Sequence, residues 1–243
     1  MTLCDSHAHA GNYFDDILYM LKEDKLYVVL NTTSSLDFEQ TLRLARSAPR
    51  NIRLFAGVHP AMAEEGTARI SSLIDQNINF VSGIGEIGLD SRNSSPTQIR
   101  TFLLQLELAE RLRKPISVHS RGMVHRVLQE LSSFKISNVL LHWFDAEEKY
   151  LNEAVSRGYF VSFGPATTYS KRLKRLAQST PIENLLAETD SPVRYGAVYE
   201  SREADPRLVS SVIFTLALIK GYDVEELEEA VFNNFKRFIR NDA

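Results

Sequence analysis

The feature that most constrains this fold is a regular alternation between short apolar segments and longer segments with helical periodicity. The short segments are rich in β-branched residues and span residues 3–8, 26–32, 52–58, 80–87, 115–120, 138–144, 159–164 and 184–190. A strand followed by a helix in each repeat predicts βαβ units, whose strands pair in parallel. Eight such units in 243 residues predict an α/β fold, a single (β/α)8 barrel of the TIM type.

The segments between the predicted strands show the spacing of amphipathic helices, most clearly over 36–48, 96–113 and 123–133. Residues 224–239 form an extra C-terminal helical segment, which we expect to pack on the outside of the barrel. No linker or low-complexity segment interrupts this order, so residues 1–243 are predicted to form one domain.

Composition narrows the class of protein further. Hydrophobic residues make up 44% of the chain, which supports a packed core and excludes disorder. The net charge of −3 gives no strong overall field toward nucleic acid or a membrane, although a local basic patch can still bind nucleic acid. Cys4 is the only cysteine, and we expect it to be a buried apolar residue of the first strand. Without a secretory or membrane-spanning segment, the expected location is cytoplasmic.

Polar side chains concentrate where the predicted strands end. Five of the six histidines lie there, namely His7, His9, His59, His119 and His142. Four carboxylates share the same position, Glu86 and Asp90 after the fourth strand and Glu188 and Asp190 after the eighth. The remaining histidine, His125, falls within a helical segment and is interpreted as an ordinary helix residue. Since the strand ends of a parallel barrel form one rim, these side chains are predicted to converge.

Each of these residues also has a purely structural interpretation. A buried histidine can simply be hydrogen-bonded in the core, and Asp190 can cap a helix that begins at the following Ser-Pro. Convergence of all of them favours a metal site. Four histidines and two carboxylates exceed the ligands of one tetrahedral zinc and suit two divalent ions about 3.5–4 Å apart. Glu86 is the candidate bridge, and zinc, manganese and magnesium are the candidate ions, with imidazole ligands disfavouring magnesium.

Several motifs resemble the TatD family of metal-dependent deoxyribonucleases, within the amidohydrolase-like barrels. They occur in the family's order over nearly the whole chain: DSHAHA, GVHP, GEIGLD, ISVHSR and LLAETDSP. The resemblance implies a TIM-type barrel that hydrolyses phosphodiester bonds of DNA. It also implies removal of nucleotides from the 3′ ends of single strands. No protein partner is implied, and no apolar run is long enough to span a membrane.

The resemblance also implies roles for individual residues. The implied ligands are His7, His9 and Asp190 at one ion and His119 and His142 at the other, with Glu86 between them. His59 and Arg121 match positions that line the family's substrate pocket. We expect a water molecule activated by the metal to attack phosphorus, and Asp190 to take or orient the proton of that water. Asp190 and Glu86 are therefore the predicted catalytic residues.

The chain departs from the family pattern at the substrate mouth. LHWFDA (141–146) stands where the family usually has His-Cys-Phe-Ser-Gly, so only His142 and Phe144 carry over. The residues that follow GLD lack the usual aromatics, and residues 193–206 do not reproduce the usual basic segment. The sequence therefore constrains the metal chemistry more tightly than the substrate.

Three further features are left with two interpretations each. The basic residues of 171–175 can contact phosphate, although a solvated helix face is the favoured interpretation. The aromatic rings of Trp143, Tyr169, Tyr195 and Tyr199 can stack on bases, or in the case of Trp143 simply pack beside the sixth strand. Asp5 either orients a metal ligand or lies deeper in the barrel.

Two other functions fit the same residues. One is a hydrolase of this architecture that acts on a small phosphoester, an amide, a lactone or an aminoacyl ester. Many such barrels bridge their metals with a carboxylated lysine, and residues 80–88 contain none. The other is a non-catalytic module that binds DNA or a protein, which would not need six convergent ligands.

Overall fold

The computed structural model describes residues 2–200 and 202–240. Eight strands form one sheet in sequence order, and each strand pairs in parallel with the next. They are β1 (Leu3–His9), β2 (Leu26–Asn31), β3 (Ile52–Phe55), β4 (Val81–Gly88), β5 (Ile116–His119), β6 (Val139–Leu141), β7 (Phe160–Phe163) and β8 (Leu185–Ala187). The TIM-type barrel is thereby confirmed. Six strands end earlier than predicted, because the last residues of the predicted segments leave the hydrogen-bonded ladder and enter the rim loops.

Helices separate the strands and cover the sheet. They are α1 (Phe14–Lys22), α2 (Phe38–Ser47), α3 (Ala68–Gln76), α4 (Pro96–Leu112), α5 (Val124–Leu131), α6 (Glu148–Ser156), α7 (Lys171–Ser179), α8 (Val209–Lys220) and α9 (Val224–Phe238). Local chemistry fixes their ends: the Ser95 hydroxyl accepts a hydrogen bond from the Gln98 amide, and Pro96 begins α4. None of the described helices is both long and apolar enough to cross a membrane.

The barrel interior is apolar at one end and polar at the other. The predicted C-terminal helix α9 packs against β1 and β8. Its Phe238 ring lies 5.4 Å from Phe55 and 6.0 Å from Phe160, so aromatic rings pack between this helix and the barrel. Cys4 is buried in β1, as predicted. The opposite end carries the histidines and carboxylates.

Hydrogen bonds bring the first and last strands together at the polar end. The Asp190 amide donates to the His7 carbonyl at 2.9 Å, and the His9 amide donates to the Ser191 carbonyl at 2.8 Å. These bonds hold the residues after β8 beside the end of β1. Asp190 therefore lies next to both histidines of the first motif, although more than 180 residues of chain separate them.

Gly88 allows β4 to approach β5 closely. Its φ is +142°, a backbone conformation that favours glycine, and a Cβ atom there would lie 2.0 Å from the carbonyl oxygen of His119. That close approach keeps Glu86 and His119 on facing positions of the rim. The prediction of one domain over residues 1–243 includes Met1, Ser201 and residues 241–243, which lie outside the described residues, and it stays a prediction.

Candidate metal centre

Four donor atoms form a compact group at the rim. Nε2 of His7 lies 3.3 Å from Nε2 of His9, and these two nitrogens lie 3.5 and 3.2 Å from Oε2 of Glu86. Oδ1 of Asp190 lies 3.6 and 3.4 Å from the same two nitrogens. Tetrahedral ligands about 2.0–2.2 Å from one ion are about 3.3–3.6 Å from each other. The spacing of these donors therefore fits a zinc-sized cation without rearrangement.

A second donor group uses the other oxygen of Glu86. Oε1 lies 2.7 Å from Nδ1 of His119 and 2.7 Å from Nε2 of His142. The two nitrogens are 3.4 Å apart. The carboxylate of Glu86, which is only 2% exposed, thus stands between two sets of histidines with one oxygen turned to each. The orientation suits a carboxylate bridge, but the two 2.7 Å contacts are hydrogen bonds, shorter than the ~3.3–3.6 Å between ligands of one ion, so these side chains must move apart to admit one.

The charges within the cluster are those of a cation site. Burial alone would raise the pKa of Glu86, but His142, His119 and His7 hold it well below its usual value. Burial would likewise lower the pKa of His9, but hydrogen bonds to Asp190 and Glu86 raise it to about 10. The His9 hydrogen bond and the neighbouring histidines also lower the pKa of Asp190, although burial would raise it. The carboxylates of Glu86 and Asp190 are therefore both ionised at neutral pH. In the absence of an ion, protons on the histidines supply the positive charge that the carboxylates attract.

Neighbouring groups determine which imidazole nitrogen faces the centre. Nδ1 of His9 donates to the Asn31 carbonyl at 3.1 Å, so the lone pair of Nε2 is directed to the donor group. In His119 the arrangement is reversed, because Nε2 lies 3.0 Å from the buried carboxylate of Asp90 and Nδ1 faces Glu86. Such carboxylate and carbonyl partners orient metal-binding histidines and increase their basicity.

Glu188 lies beneath the second donor group and outside it. Its Oε2 accepts a hydrogen bond from the Ser162 hydroxyl at 2.5 Å and lies 3.7 Å from Nδ1 of His142. Within the part of the chain that the structure describes, Nδ1 of His142 and Oε1 of Glu188 are buried and have no hydrogen-bond partner. The sequence marked Glu188 as a rim carboxylate, and the structure places it as the nearest anion behind His142.

Asp5 has a structural role that the sequence left open. Its fully buried carboxylate accepts hydrogen bonds from the amide and the hydroxyl of Thr189 and from the amide of His7. Burial raises the pKa of Asp5 well above its usual value, against the hydrogen bonds that lower it. Asp5 therefore contacts the backbone of the ligand-bearing segments, and the donor groups above do not include it.

His59 lies at the edge of the second donor group, with Nε2 3.5 Å from Oε1 of Glu86. Its Nδ1 accepts a hydrogen bond from the Ala61 amide at 3.0 Å. Burial lowers the pKa of His59 to about 4, so the ring is neutral at neutral pH. A neutral ring whose Nδ1 accepts must carry its proton on Nε2. Although its position next to Glu86 and His119 would allow ligation, His59 is arranged as a hydrogen-bond donor.

A cavity of about 490 Å³ opens beside the donor groups. Its walls include His119, Arg121, His142, Trp143 and Asp190. Nη2 of Arg121 donates to the Asp90 carboxylate, which holds the guanidinium at the cavity wall. The structure thus brings together all eight residues that the sequence named for the site, six in the donor groups and His59 and Arg121 at their edge.

Several alternative interpretations can now be decided. No α-helix begins in the described residues between Asp190 and α8, so the helix-cap interpretation of Asp190 is wrong. His125 lies exposed on α5, as expected of an ordinary helix residue. Tyr195 is 2% exposed and packs against Trp143, so it supports that ring and does not face solvent. In the basic segment, Arg172 pairs with Asp145 at 3.0 Å, and the favoured interpretation of that segment as a solvated helix face stays a prediction.

Comparison with known proteins identifies relatives over the whole length of the chain. A family model described as TatD related DNase matches residues 4–240. The metal-dependent hydrolase MJ1582 of Methanocaldococcus jannaschii is 27% identical over 245 residues, which cover 97% of this chain and 96% of that protein. The human deoxyribonuclease TATDN3 is 27% identical over 95% of this chain and 91% of its own. The crystal structure of YJJV, a TatD homologue from Escherichia coli, superposes with a TM-score of 0.88 at 22% identity and covers 97% of both chains, which supports the fold.

Proposed function

The chain belongs to the TatD-related DNase family of metal-dependent hydrolases, and on that premise we propose that it cleaves phosphodiester bonds of DNA with water at a two-metal centre. The observation that carries the proposal is the division of the Glu86 carboxylate between two donor groups. A human relative of similar length is named a deoxyribonuclease, which supports DNA as the substrate.

The proposed ligands follow the two donor groups. His7, His9 and Asp190 would hold one ion and His119 and His142 the other, with Glu86 as the ligand that they would share. The mixture of imidazole and carboxylate donors suits zinc or manganese better than magnesium, which prefers oxygen ligands and retains its waters. When bound, two divalent cations neutralise the charge of the phosphate and increase the acidity of the attacking water.

Asp190 is the proposed proton acceptor. Burial would raise its pKa, but the hydrogen bond from His9 and the nearby histidines lower it, so the carboxylate is ionised at neutral pH. It is 8% exposed and contributes to the cavity wall, where a water molecule can reach it. Accepting the proton of that water during attack on phosphorus is general base catalysis.

His59 and Arg121 supply donors for the phosphate. Nε2–H of His59 points toward the Glu86 side of the centre, and the guanidinium of Arg121 lies on the cavity wall. A guanidinium can bind two phosphate oxygens through parallel hydrogen bonds. The proposed role of both side chains is to hold the phosphate in line with the attacking water, and neither has to transfer a proton for it.

We extend the proposal to removal of nucleotides from the 3′ end of single-stranded DNA. The cavity beside the centre has a volume of about 490 Å³, in the range of small-ligand sites. A cavity of that size suits the unpaired end of one strand better than the side of a duplex. The 3′ polarity follows the family resemblance.

The test is cleavage of a single-stranded oligonucleotide that carries a label at its 5′ end, with Mg²⁺, Mn²⁺, Zn²⁺ or EDTA. The wild-type protein should give a ladder of shortened labelled products that depends on metal. Glu86→Gln should lose it, whereas His125→Ala, an exposed change on α5, should retain it. Absence of cleavage with every metal, from protein shown to be folded, would overturn the DNA assignment.

A further inference from the structure

We propose that Trp143 forms a nucleobase-stacking subsite beside the second donor group, where the base of the bound nucleotide lies against the indole ring. The proposal rests on the DNA-directed function above and names the part of the substrate that this chain's own residues recognise. It concerns a position at which the sequence departs from the family pattern, because tryptophan follows His142 where a cysteine is usual.

Trp143 is held as a rigid wall of the cavity. Its φ is +42°, an uncommon backbone conformation for a bulky residue, which marks positions where side-chain placement matters. The indole stacks on Tyr195 with ring centroids 5.4 Å apart and planes inclined by 28°. Tyr195 is in turn fixed by a hydrogen bond from its hydroxyl to the Thr189 carbonyl at 2.8 Å. One aromatic ring therefore supports the other from behind.

Trp143 packs against the core, and part of its side chain remains uncovered. Tyr195 is buried, whereas Trp143 is only half-buried and contributes to the lining of the cavity next to His142. Val124 and Val193 line the same cavity and add apolar surface. An aromatic ring beside apolar walls in a cavity of about 490 Å³ provides a flat, water-excluding surface of the kind on which bases stack.

The charges on the cavity wall give the bound nucleotide a direction. Arg121 lines the cavity and donates to the Asp90 carboxylate, which in turn contacts Nε2 of His119. Its positive charge therefore lies at the His119 end, and the phosphate belongs there, close to the donor groups. Asp145 lies on the same wall as Trp143 and carries a negative charge that pairs with Arg172. An anionic phosphate is disfavoured beside Asp145, but an uncharged base is not. The cavity thus places the phosphate at the centre and the base at Trp143.

Trp143 is the only tryptophan of the chain, so intrinsic fluorescence reports on this subsite directly. The experiment titrates Zn²⁺-equilibrated protein with dAMP and, separately, with 2-deoxyribose 5-phosphate, which carries the same phosphate and no base. We expect dAMP to quench the fluorescence and to bind about 5- to 150-fold more tightly, the range for stacking of one base. Equal affinity and equal fluorescence response for the two ligands would overturn the subsite.

Two substitutions sharpen the test. Trp143→Phe keeps an aromatic face, and Trp143→Leu removes it. Both variants lack the fluorescent indole, so their binding is measured by titration calorimetry. We expect Trp143→Leu to lower the affinity for dAMP to that for deoxyribose phosphate and Trp143→Phe to retain most of the difference, with the affinity for deoxyribose phosphate unchanged in both. Equal losses for both ligands in Trp143→Leu would contradict stacking. The wild-type comparison decides the question even if a variant fails to fold.

Nucleotide binding does not require turnover, so the binding experiment and the DNA cleavage assay can fail independently of each other. Base-dependent quenching without DNA cleavage would overturn the nuclease assignment and leave the subsite supported. DNA cleavage with base-independent binding would overturn the subsite alone.

Discussion

The buried carboxylate of Asp5 accepts hydrogen bonds from both the amide and the hydroxyl of Thr189, the residue that precedes Asp190. The same carboxylate accepts a hydrogen bond from the amide of His7 at 3.2 Å. Asp5 therefore connects two proposed ligand-bearing segments, one at the start of the chain and one near its end. It places Asp190 relative to His7 without belonging to either donor group.

Replacing Asp5 should weaken metal binding at a distance. Asp5→Ala leaves the buried donors of Thr189 without a partner, which should cost about 1–3 kcal/mol of unfolding free energy. Loss of such a positioning group should also reduce metal affinity about 10- to 100-fold. Cys4→Ala is the matched control, a buried change on the same strand. Titration of both variants with Zn²⁺ should show the loss of affinity in Asp5→Ala alone, and an equal effect in the control would contradict this role.

Replacing His59 should lower activity without changing the number of bound ions. Because Nδ1 of His59 accepts the Ala61 amide, the side chain offers Nε2–H to the substrate. His59→Ala should reduce kcat/KM for DNA by about 10²–10³-fold, as for loss of a donor to the developing charge of a transition state. His59→Gln, which retains an N–H donor, should recover part of it. If His59→Ala loses one ion per chain in metal analysis, the residue is a ligand instead.

Metal affinity should rise with pH. The pKa of His9 is raised to about 10 and that of His142 well above its usual value, so both rings are protonated at pH 7 before an ion binds. A metal ion binds the neutral ring and must displace its proton. For each displaced proton, metal affinity should therefore rise about tenfold per unit increase in pH, as long as the pH is below the pKa of that histidine. Glu86 and Asp190, whose pKa values are lowered, are already ionised and release no proton at pH 7.

Calorimetric titration in buffers of different ionisation heat counts the released protons. We expect close to two protons for two ions at pH 7. An affinity that stays constant or falls between pH 6 and pH 8 would contradict this charge arrangement.

Gly88 should tolerate no larger side chain. A Cβ atom there would lie 2.0 Å from the backbone oxygen of His119, in addition to the unfavourable φ. Gly88→Ala should therefore lower the free energy of unfolding by more than about 3 kcal/mol. Gly66→Ala is the control, since Gly66 also has a positive φ but has no atom within 4 Å of the added Cβ. It should cost only about 1–2 kcal/mol. Urea denaturation in EDTA measures the free energy of unfolding of both variants. Equal decreases in Gly88→Ala and Gly66→Ala would contradict the prediction, because they would show that the backbone moves to relieve the contact with His119.

The barrel and the candidate ligands could be predicted because both depend on local pattern. Alternating strand and helix segments predict the parallel barrel, and its geometry places every strand end on one rim. His119 and His142 could thus be assigned to one site although they lie on different strands. Strand lengths were overestimated because residues such as Val58 and Phe144 are apolar and buried but lie beyond the ends of β3 and β6.

The details of the site depend on contacts that no local pattern encodes. The partner of Asp5 is 184 residues away in sequence. The use of Nδ1 by His119 and Nε2 by His9 depends on the positions of Asp90 and the Asn31 carbonyl. The support of Trp143 by Tyr195 depends on how the loop after β8 folds back over the rim.

The number of ions bound by the wild-type protein and by Glu86→Gln tests the central claim most directly. Protein stripped with a chelator would be dialysed against Zn²⁺ and its metal content measured by elemental analysis, with the exposed change Glu107→Gln as control. A bridge at Glu86 predicts two ions per chain in the wild type and control and at most one in Glu86→Gln. One ion in the wild type, or two retained in Glu86→Gln, would contradict the bridged two-metal centre.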